Sequence, residues 1–201
     1  MIIAIILAAG KSERMGRPKL ILPIINGKSI IEHVIECVKS SKVDEVLVIL
    51  GHEPHNIIPY VQRTNTPFIV NFFYEYGMTS SFKRGIMEIA DRADAALLVL
   101  GDQPLISTEL IDQIIDIYEH TSALIVSPKY KGKKGHPVLF DKKVFTDIIN
   151  LPWYGIIRTV VHKYSLQHVT FDWEKSVIID VDTPEDYKKL IEIIKRSHKK
   201  N

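Results

Sequence analysis

Met1-Ile2-Ile3-Ala4-Ile5-Ile6-Leu7-Ala8-Ala9-Gly10-Lys11-Ser12-Glu13-Arg14-Met15-Gly16-Arg17-Pro18-Lys19 is an apolar run that empties into a loop of glycines and cations. The run is about ten residues long and has no basic segment before it, so it reads as a buried parallel strand, not a signal peptide or membrane span. A strand that ends in such a loop places free backbone N–H groups and cations at the carboxyl edge of a sheet, where open α/β folds bind ligands. Polyphosphate suits that edge. Gly10 and Gly16 permit close backbone approach to an anion, Ser12 adds a hydroxyl, and Arg14, Arg17 and Lys19 can neutralise charge.

Working outward, apolar runs ending in punctuation recur. Val46–Leu50 runs into Gly51-His52, and Ala95–Leu100 into Gly101-Asp102-Gln103-Pro104. Helical patterns separate them: Ser29 as a cap leading to Lys39, Pro54 to Gln62, a helix from a Thr79 or Ser80 cap to Ala90, and Ser107 capping Glu109–Glu119. Phe68–Phe72 and Ala123–Ser127 read as further strands, and Leu20–Ile24, with Pro23, as a short extended piece before an Asn26-Gly27-Lys28 turn. Alternation of this kind predicts a three-layer α/β/α sandwich with a mostly parallel, Rossmann-like sheet whose strand ends share one rim. After Pro128 the pattern loosens into a loop over Lys129–Pro137. A short strand Val138–Phe140, a helical stretch from Asp141, a helix Gly155–Lys163 and strands at Gln167–Phe171 and Val177–Ile179 follow. The last helix opens at Thr183-Pro184.

At 201 residues and 46% hydrophobic, the chain fits one domain with a sizeable core. We read 1–127 as a nucleotide-binding part and 128–201 as an acceptor-binding and closing part. A net charge of +2 argues against nucleic acid as a partner, and no apolar run reaches membrane length. The single cysteine, Cys37, excludes an internal disulfide and fits a cytoplasmic protein with a small core thiol. The lysine-rich end Lys195–Lys200 reads as a solvated helix terminus.

Asp102 follows a buried strand directly, so its carboxylate should emerge at the rim shared with residues 8–19. Mg²⁺ binds phosphates through one or two protein carboxylates and keeps several waters, which makes Asp102 the first candidate metal ligand. Asp180 and Asp182 are a second carboxylate source. One of the two is expected to reach the metal directly. Phe72, Phe73, Tyr74 and Tyr76 form an aromatic cluster suited to core packing.

The first loop is neither a Walker A loop nor a Gly-x-Gly-x-x-Gly fingerprint. It resembles the signature of the molybdenum-cofactor nucleotidyltransferases at Leu7, Ala8, Gly10, Ser12, Arg14, Met15, Gly16 and Lys19. Gly77-Met78-Thr79-Ser80-Ser81, Gly101-Asp102-Gln103-Pro104, Gly135-His136-Pro137-Val138 and Asp180-Val181-Asp182-Thr183-Pro184 extend the resemblance, in order, to the cytidylyltransferase branch. The resemblance implies a nucleotide-diphospho-sugar transferase type of fold and Mg²⁺ as cofactor. It implies nucleotide binding by Leu7, Ala8, Ala9, Gly10, Ser12, Arg14, Lys19 and Ser81, with catalysis by Arg14, Lys19 and Asp102. Metal would be bound by Asp102 with Asp180 or Asp182, and a molybdopterin-type acceptor would lie beside Gly135 and His136.

Leu7-Ala8-Ala9-Gly10 matches cytidylyl members, where guanylyl members carry a second glycine. The Ala9 methyl would narrow the pocket against a purine, which favours CTP over GTP. One departure is Trp153-Tyr154-Gly155-Ile156-Ile157-Arg158, which lacks the acid that many cytidylyl members have there. Other phosphorylated acceptors, such as a sugar phosphate or phospholactate, and a non-catalytic cofactor carrier serving a molybdenum hydroxylase, are the competing readings.

Overall fold

The computed structural model describes residues 1–198; Lys199 and Lys200, part of the lysine-rich end, lie outside the described residues. Strand β1 spans Ile2–Ala8. A hairpin of β2 (Pro23–Ile25) and β3 (Lys28–Ser29) turns at Asn26-Gly27 and leads into helix α1 (Ile30–Lys39). Then come β4 (Glu45–Leu50), α2 (Ile58–Arg63), β5 (Phe68–Val70), α3 (Met78–Ile89), β6 (Ala95–Leu100) and α4 (Thr108–His120). The second part holds β7 (Ile125–Tyr130), β8 (Lys133–Lys134), β9 (Val138–Asp141), α5 (Phe145–Asn150), α6 (Ile157–Lys163), β10 (His168–Asp172) and α7 (Pro184–His198).

The main sheet runs β10-β7-β9-β6-β1-β4-β5, with β8 paired to β7. β1 lies between β4 and β6, parallel to both, so the carboxyl ends of these strands meet on one rim as expected. Period-2 alternation assigns the two faces. Ile2, Ala4, Ile6 and Ala8 pack with α1 and α4, whereas Ile3 and Ile5 pack with Phe82 and Ile86 of α3 and Ile148 of α5. Helices cover both faces, which gives the three layers. α3 presses closely against β1: a Cβ added at Gly85 would lie 2.7 Å from Ile5 Cγ2.

Several expectations change. β9 is antiparallel, inserted between β6 and β7. β7 continues through Lys129-Tyr130 and folds back as β8, so part of the expected Lys129–Pro137 loop is a hairpin. Val177 belongs to a 3₁₀ turn, Lys175–Ile178, not a strand, because its carbonyl accepts the His136 N–H across the fold instead of joining the sheet. The stretch from Pro54 divides into a 3₁₀ turn and α2.

Local capping explains the helix starts. Ser29 Oγ accepts the Glu32 N–H while the Glu32 carboxylate accepts the Ser29 N–H, a reciprocal capping box. Ser107 caps α4, and Thr183 and Asp186 exchange the same pair of bonds at α7. At α3 the cap position is Gly77, not Thr79 or Ser80, because those hydroxyls bond elsewhere. Ser80 Oγ donates to the Phe73 and Gly77 carbonyls, and Thr79 Oγ1 accepts the Ile157 N–H from α6. Cys37 packs against the core, its thiol donating to the Ile106 carbonyl. Among the described residues no helix is long and apolar enough to cross a membrane.

Candidate active site

The loop after β1 is shaped from within. Ser12 adopts a left-handed conformation at φ 54°, Glu13–Met15 makes one 3₁₀ turn, and Met15 and Leu20 bury beneath it. Ser12 Oγ accepts the Lys19 N–H at 3.2 Å, which closes the loop on itself. Ala9 is held on its other side, since its carbonyl accepts the His52 N–H. Gly51 must be glycine there: an added Cβ would lie 2.6 Å from Tyr74 Cβ and 2.7 Å from Ala9 Cβ. At Gly10, by contrast, an added Cβ meets no atom within 4 Å, because the residue faces open space.

Lys19 is the centre of the charged part. The side chain is buried, and Nζ donates to Asp102 Oδ2 at 2.6 Å and to Asp182 Oδ1 at 2.8 Å. Burial works to lower its pKa, but the two carboxylates outweigh burial and hold the ammonium above its usual range. Burial pushes the Asp102 carboxyl up, Lys19 pulls it back down, and Asp180 and Asp182 add to the upward push. Asp182 also accepts from exposed Arg14 Nη2 at 2.7 Å, so one carboxylate links both loop cations.

Regular extended chain would put Asp180 and Asp182 on one face, but 180–182 is not a strand and the two carboxylates take different partners, with Val181 buried between them and its N–H bonded to the Asp102 carbonyl. Asp180 accepts from the buried amide of Gln103 instead of facing Lys19. Among the described residues no three acidic, His or Cys side chains converge as a metal cluster. Asp102 and Asp182, which share Lys19, are the carboxylates that could hold a divalent cation at this rim. Two carboxylates fit Mg²⁺, which completes its shell with waters and phosphate oxygens.

A cavity of about 350 Å³ is lined by Leu7, Ala8, Gly10, Lys11, Ser12, Glu13, Arg14, Lys19, Leu20, Asp102 and Asp182. A second, of about 230 Å³, is lined by Leu7, Ala9, Gly10, Tyr74, Gly77, Met78, Ser81, Leu100 and Asp102. Leu7, Gly10 and Asp102 border both. The result is one trough with a half of mixed charge, three cations against three carboxylates, and a narrower, more apolar half. Ser81, nearly inaccessible, is positioned by Asn71, whose amide donates to the Ser80 and Ser81 hydroxyls.

Asn71 escaped the sequence reading. A polar residue that directly follows a short apolar strand at the same rim was the available signal. The aromatic cluster is not core: Phe72, Phe73 and Tyr76 are exposed, with Phe73 stacked on Trp153 at 4.4 Å. Gly135 and His136 lie farther along, where Gly135 passes so close to Val177 that a Cβ would sit 2.4 Å from its carbonyl oxygen.

Residues 4–169 match the family model described as the MobA-like NTP transferase domain. The chain belongs to that family. A curated member of similar size, the molybdenum cofactor cytidylyltransferase of Escherichia coli K12, is 27% identical over 185 residues, covering 91% of this chain and 92% of its own. The bifunctional protein GlmU of Staphylococcus epidermidis is 31% identical over 121 residues, 60% of this chain, which spans about a quarter (26%) of that longer relative. Among solved structures, Rv0371c from Mycobacterium tuberculosis superposes with a TM-score of 0.80 at 28% identity over 95% of this chain and 97% of that one. A structure of Rv0371c in complex with manganese superposes at 0.75 and 26% identity over the same shares. The mostly parallel sheet with helices on both faces matches the nucleotide-diphospho-sugar transferase fold of solved neighbours such as the CMP:2-keto-3-deoxy-manno-octonic acid synthetase, at a TM-score of 0.81 and 16% identity.

Proposed function

We propose that this chain transfers a cytidylyl group from CTP to the phosphate of a molybdopterin-type cofactor and releases pyrophosphate. The observation that carries the reading is the trough that joins Lys19, Arg14 and the open backbone at Gly10 to the narrow pocket floored by Ala9, with Asp102 on the border of both. Triphosphate, with a divalent cation on the carboxylates, fits the charged half and a single-ring base the narrow half. Resemblance to the Escherichia coli cytidylyltransferase along nearly the whole chain supports the acceptor.

In this reading an oxygen of the acceptor phosphate attacks the α-phosphorus of CTP as the bond to the bridging β-oxygen breaks, and pyrophosphate leaves with that electron pair. The nucleophile is already ionised at neutral pH, so no general base is needed. The work left to the protein is positioning and charge neutralisation. Ser12 and the backbone at Gly10 cradle phosphate oxygens, while Lys19 and Arg14 offset the charge that gathers on the departing pyrophosphate. Asp102 and Asp182 would hold Mg²⁺, which when bound polarises the α-phosphate and orients the leaving group.

The test is pyrophosphate release from CTP, GTP, ATP and UTP with Mg²⁺, each with and without molybdopterin. Release confined to CTP plus the pterin is expected, and Asp102→Ala should lower turnover by about a thousandfold or more. Pyrophosphate release driven by a sugar phosphate but not by the pterin would overturn the acceptor, and cofactor delivery undiminished in Asp102→Ala would favour a carrier.

A further inference from the structure

A hollow of about 540 Å³ opens beyond Met78, the side chain it shares with the narrow half of the trough. Its floor is apolar, built by Leu98, Val138 and Phe140 of the sheet and Ile157 and Val161 of α6. Its rim carries Lys133, Lys134 and Arg158 together with three histidines, and no acidic residue lines it. Among the described residues none of these three cations is ion-paired, although Lys19, Lys28, Lys42, Lys142 and Lys163 all are. A one-signed rim over an apolar floor is complementary to an anion with a flat or apolar body.

Hydrogen bonding at the back wall fixes what the wall can offer. Lys134 Nζ lies 3.2 Å from His168 Nδ1, and His168 Nε2 lies 2.8 Å from Ser127 Oγ. An ammonium only donates, so Nδ1 accepts, the ring proton sits on Nε2, and Nε2–H donates to the Ser127 oxygen. Burial, aided by Lys134, lowers the His168 pKa to about 4 and keeps the ring neutral at pH 7. His168 therefore cannot take a proton from Ser127, which excludes a Ser/His nucleophile. Ser127, 1% exposed, is left with its own proton to donate, and it lines the hollow. His136 Nδ1, buried and without a partner, lines the same space, and its ring feels the charge of Asp102.

We infer that this hollow binds the acceptor and selects one carrying an anionic group besides the phosphate that reacts, held by Ser127, Lys134 and Arg158 over the apolar floor. The inference rests on the nucleotidyltransferase reading for the role of acceptor. The chemistry of the hollow itself does not depend on which nucleotide is used. His168 acts here as a positioning group, through Ser127.

The test compares pterin-6-carboxylate with neutral 6-methylpterin by fluorescence titration, and follows CTP binding and acceptor KM in the same proteins. Pterin-6-carboxylate is expected to bind more tightly than the neutral pterin. Lys134→Gln, at the exposed rim, and Ser127→Ala should each weaken the carboxylate about tenfold, leaving the neutral pterin and CTP unchanged. Both variants should raise acceptor KM and spare kcat. Equal binding of the two pterins, or variants that weaken CTP as much as the carboxylate, would overturn the inference. The carboxylate preference, if it persists without any pyrophosphate release from CTP plus molybdopterin, would support the hollow while sinking the reaction. Normal release with acceptor KM untouched in both variants would do the reverse.

Discussion

Lys19 Nζ donates to Asp102 Oδ2 at 2.6 Å across 83 positions of chain, so the first loop is tied to the end of β6 by a buried ion pair. The same ammonium holds Asp182, which makes it the only loop cation shared by both candidate metal carboxylates among the described residues. Lys19→Met should leave Asp102 without its counter-charge, beside an Asp182 that keeps exposed Arg14. Stability measured by urea unfolding in EDTA is expected to fall by about 3 kcal/mol. Mg²⁺ should restore part of that loss, with a larger gain than it gives the parent protein, and turnover should drop by about a hundredfold or more. A variant as stable as the parent in EDTA would contradict the pairing.

In the proposed cytidylyl reading, the Ala9 methyl sets the base preference. Ala9→Gly opens the narrow half of the trough and is expected to raise the ratio of GTP to CTP use, measured as kcat/KM for each, by about tenfold. No change in the ratio would move base choice to other walls of that pocket, such as Met78 and Ser81.

Two glycines should respond oppositely to alanine. At Gly135 the added methyl would sit 2.4 Å from the Val177 carbonyl oxygen and 2.7 Å from Val177 Cβ, both within the core-facing 3₁₀ turn. Gly135→Ala is therefore expected to cost about 1–3 kcal/mol in urea unfolding. At Gly10 nothing lies within 4 Å, so Gly10→Ala should leave stability unchanged and instead weaken nucleotide triphosphate binding, read by calorimetric titration. Destabilisation at Gly10 would show that the open face is not a ligand cradle.

Acid should probe the buried histidines. Burial lowers the pKa of both His136 and His168 to about 4 in the folded protein, against about 6.5 unfolded. Between those values the unfolded chain binds more protons, so their contribution to stability is whole above pH 6.5 and is lost as pH falls toward 4. The lowered carboxylates Asp147 and Asp186 act in the same sense, but below their unfolded values near 4. His168→Gln should therefore flatten the decline of melting temperature between pH 6.5 and 4.5 relative to the parent, with no difference between the two slopes above pH 7.

Much of the rim was legible because local chemistry announces it. Apolar runs that stop at Gly10, Gly51 and Gly101 mark strand ends, and the unbroken apolar run of β1 already says that both faces are covered. What was hidden depends on distance along the chain. Nothing near Lys19 says that its partners are 83 and 163 residues away, and the same spacing of charges would serve an exposed cation. Direction in the sheet was hidden for a related reason: Val138–Asp141 reads as a short strand whichever way it runs, and its antiparallel sense follows from the Gly132 hairpin and the anchoring of His136 to Val177. The caps at α3 misled because Thr79 and Ser80 are good N-cap residues whose hydroxyls are claimed by α6 and by Phe73.

β9 sits between strands that precede it in sequence, with β6 on one side and β7 on the other. During synthesis, then, β6 emerges with β1 and β4 ready to accept it on one edge and with nothing for the other. That edge stays open while α4 and β7 are made, and β7 has no place in the sheet until Val138–Asp141 arrives to bridge the gap. The last strand into the middle thus acts as a keystone. The half that carries Lys19 and Asp102 can order first, while the hollow floored by Val138 and Phe140 comes into being only when the keystone is set.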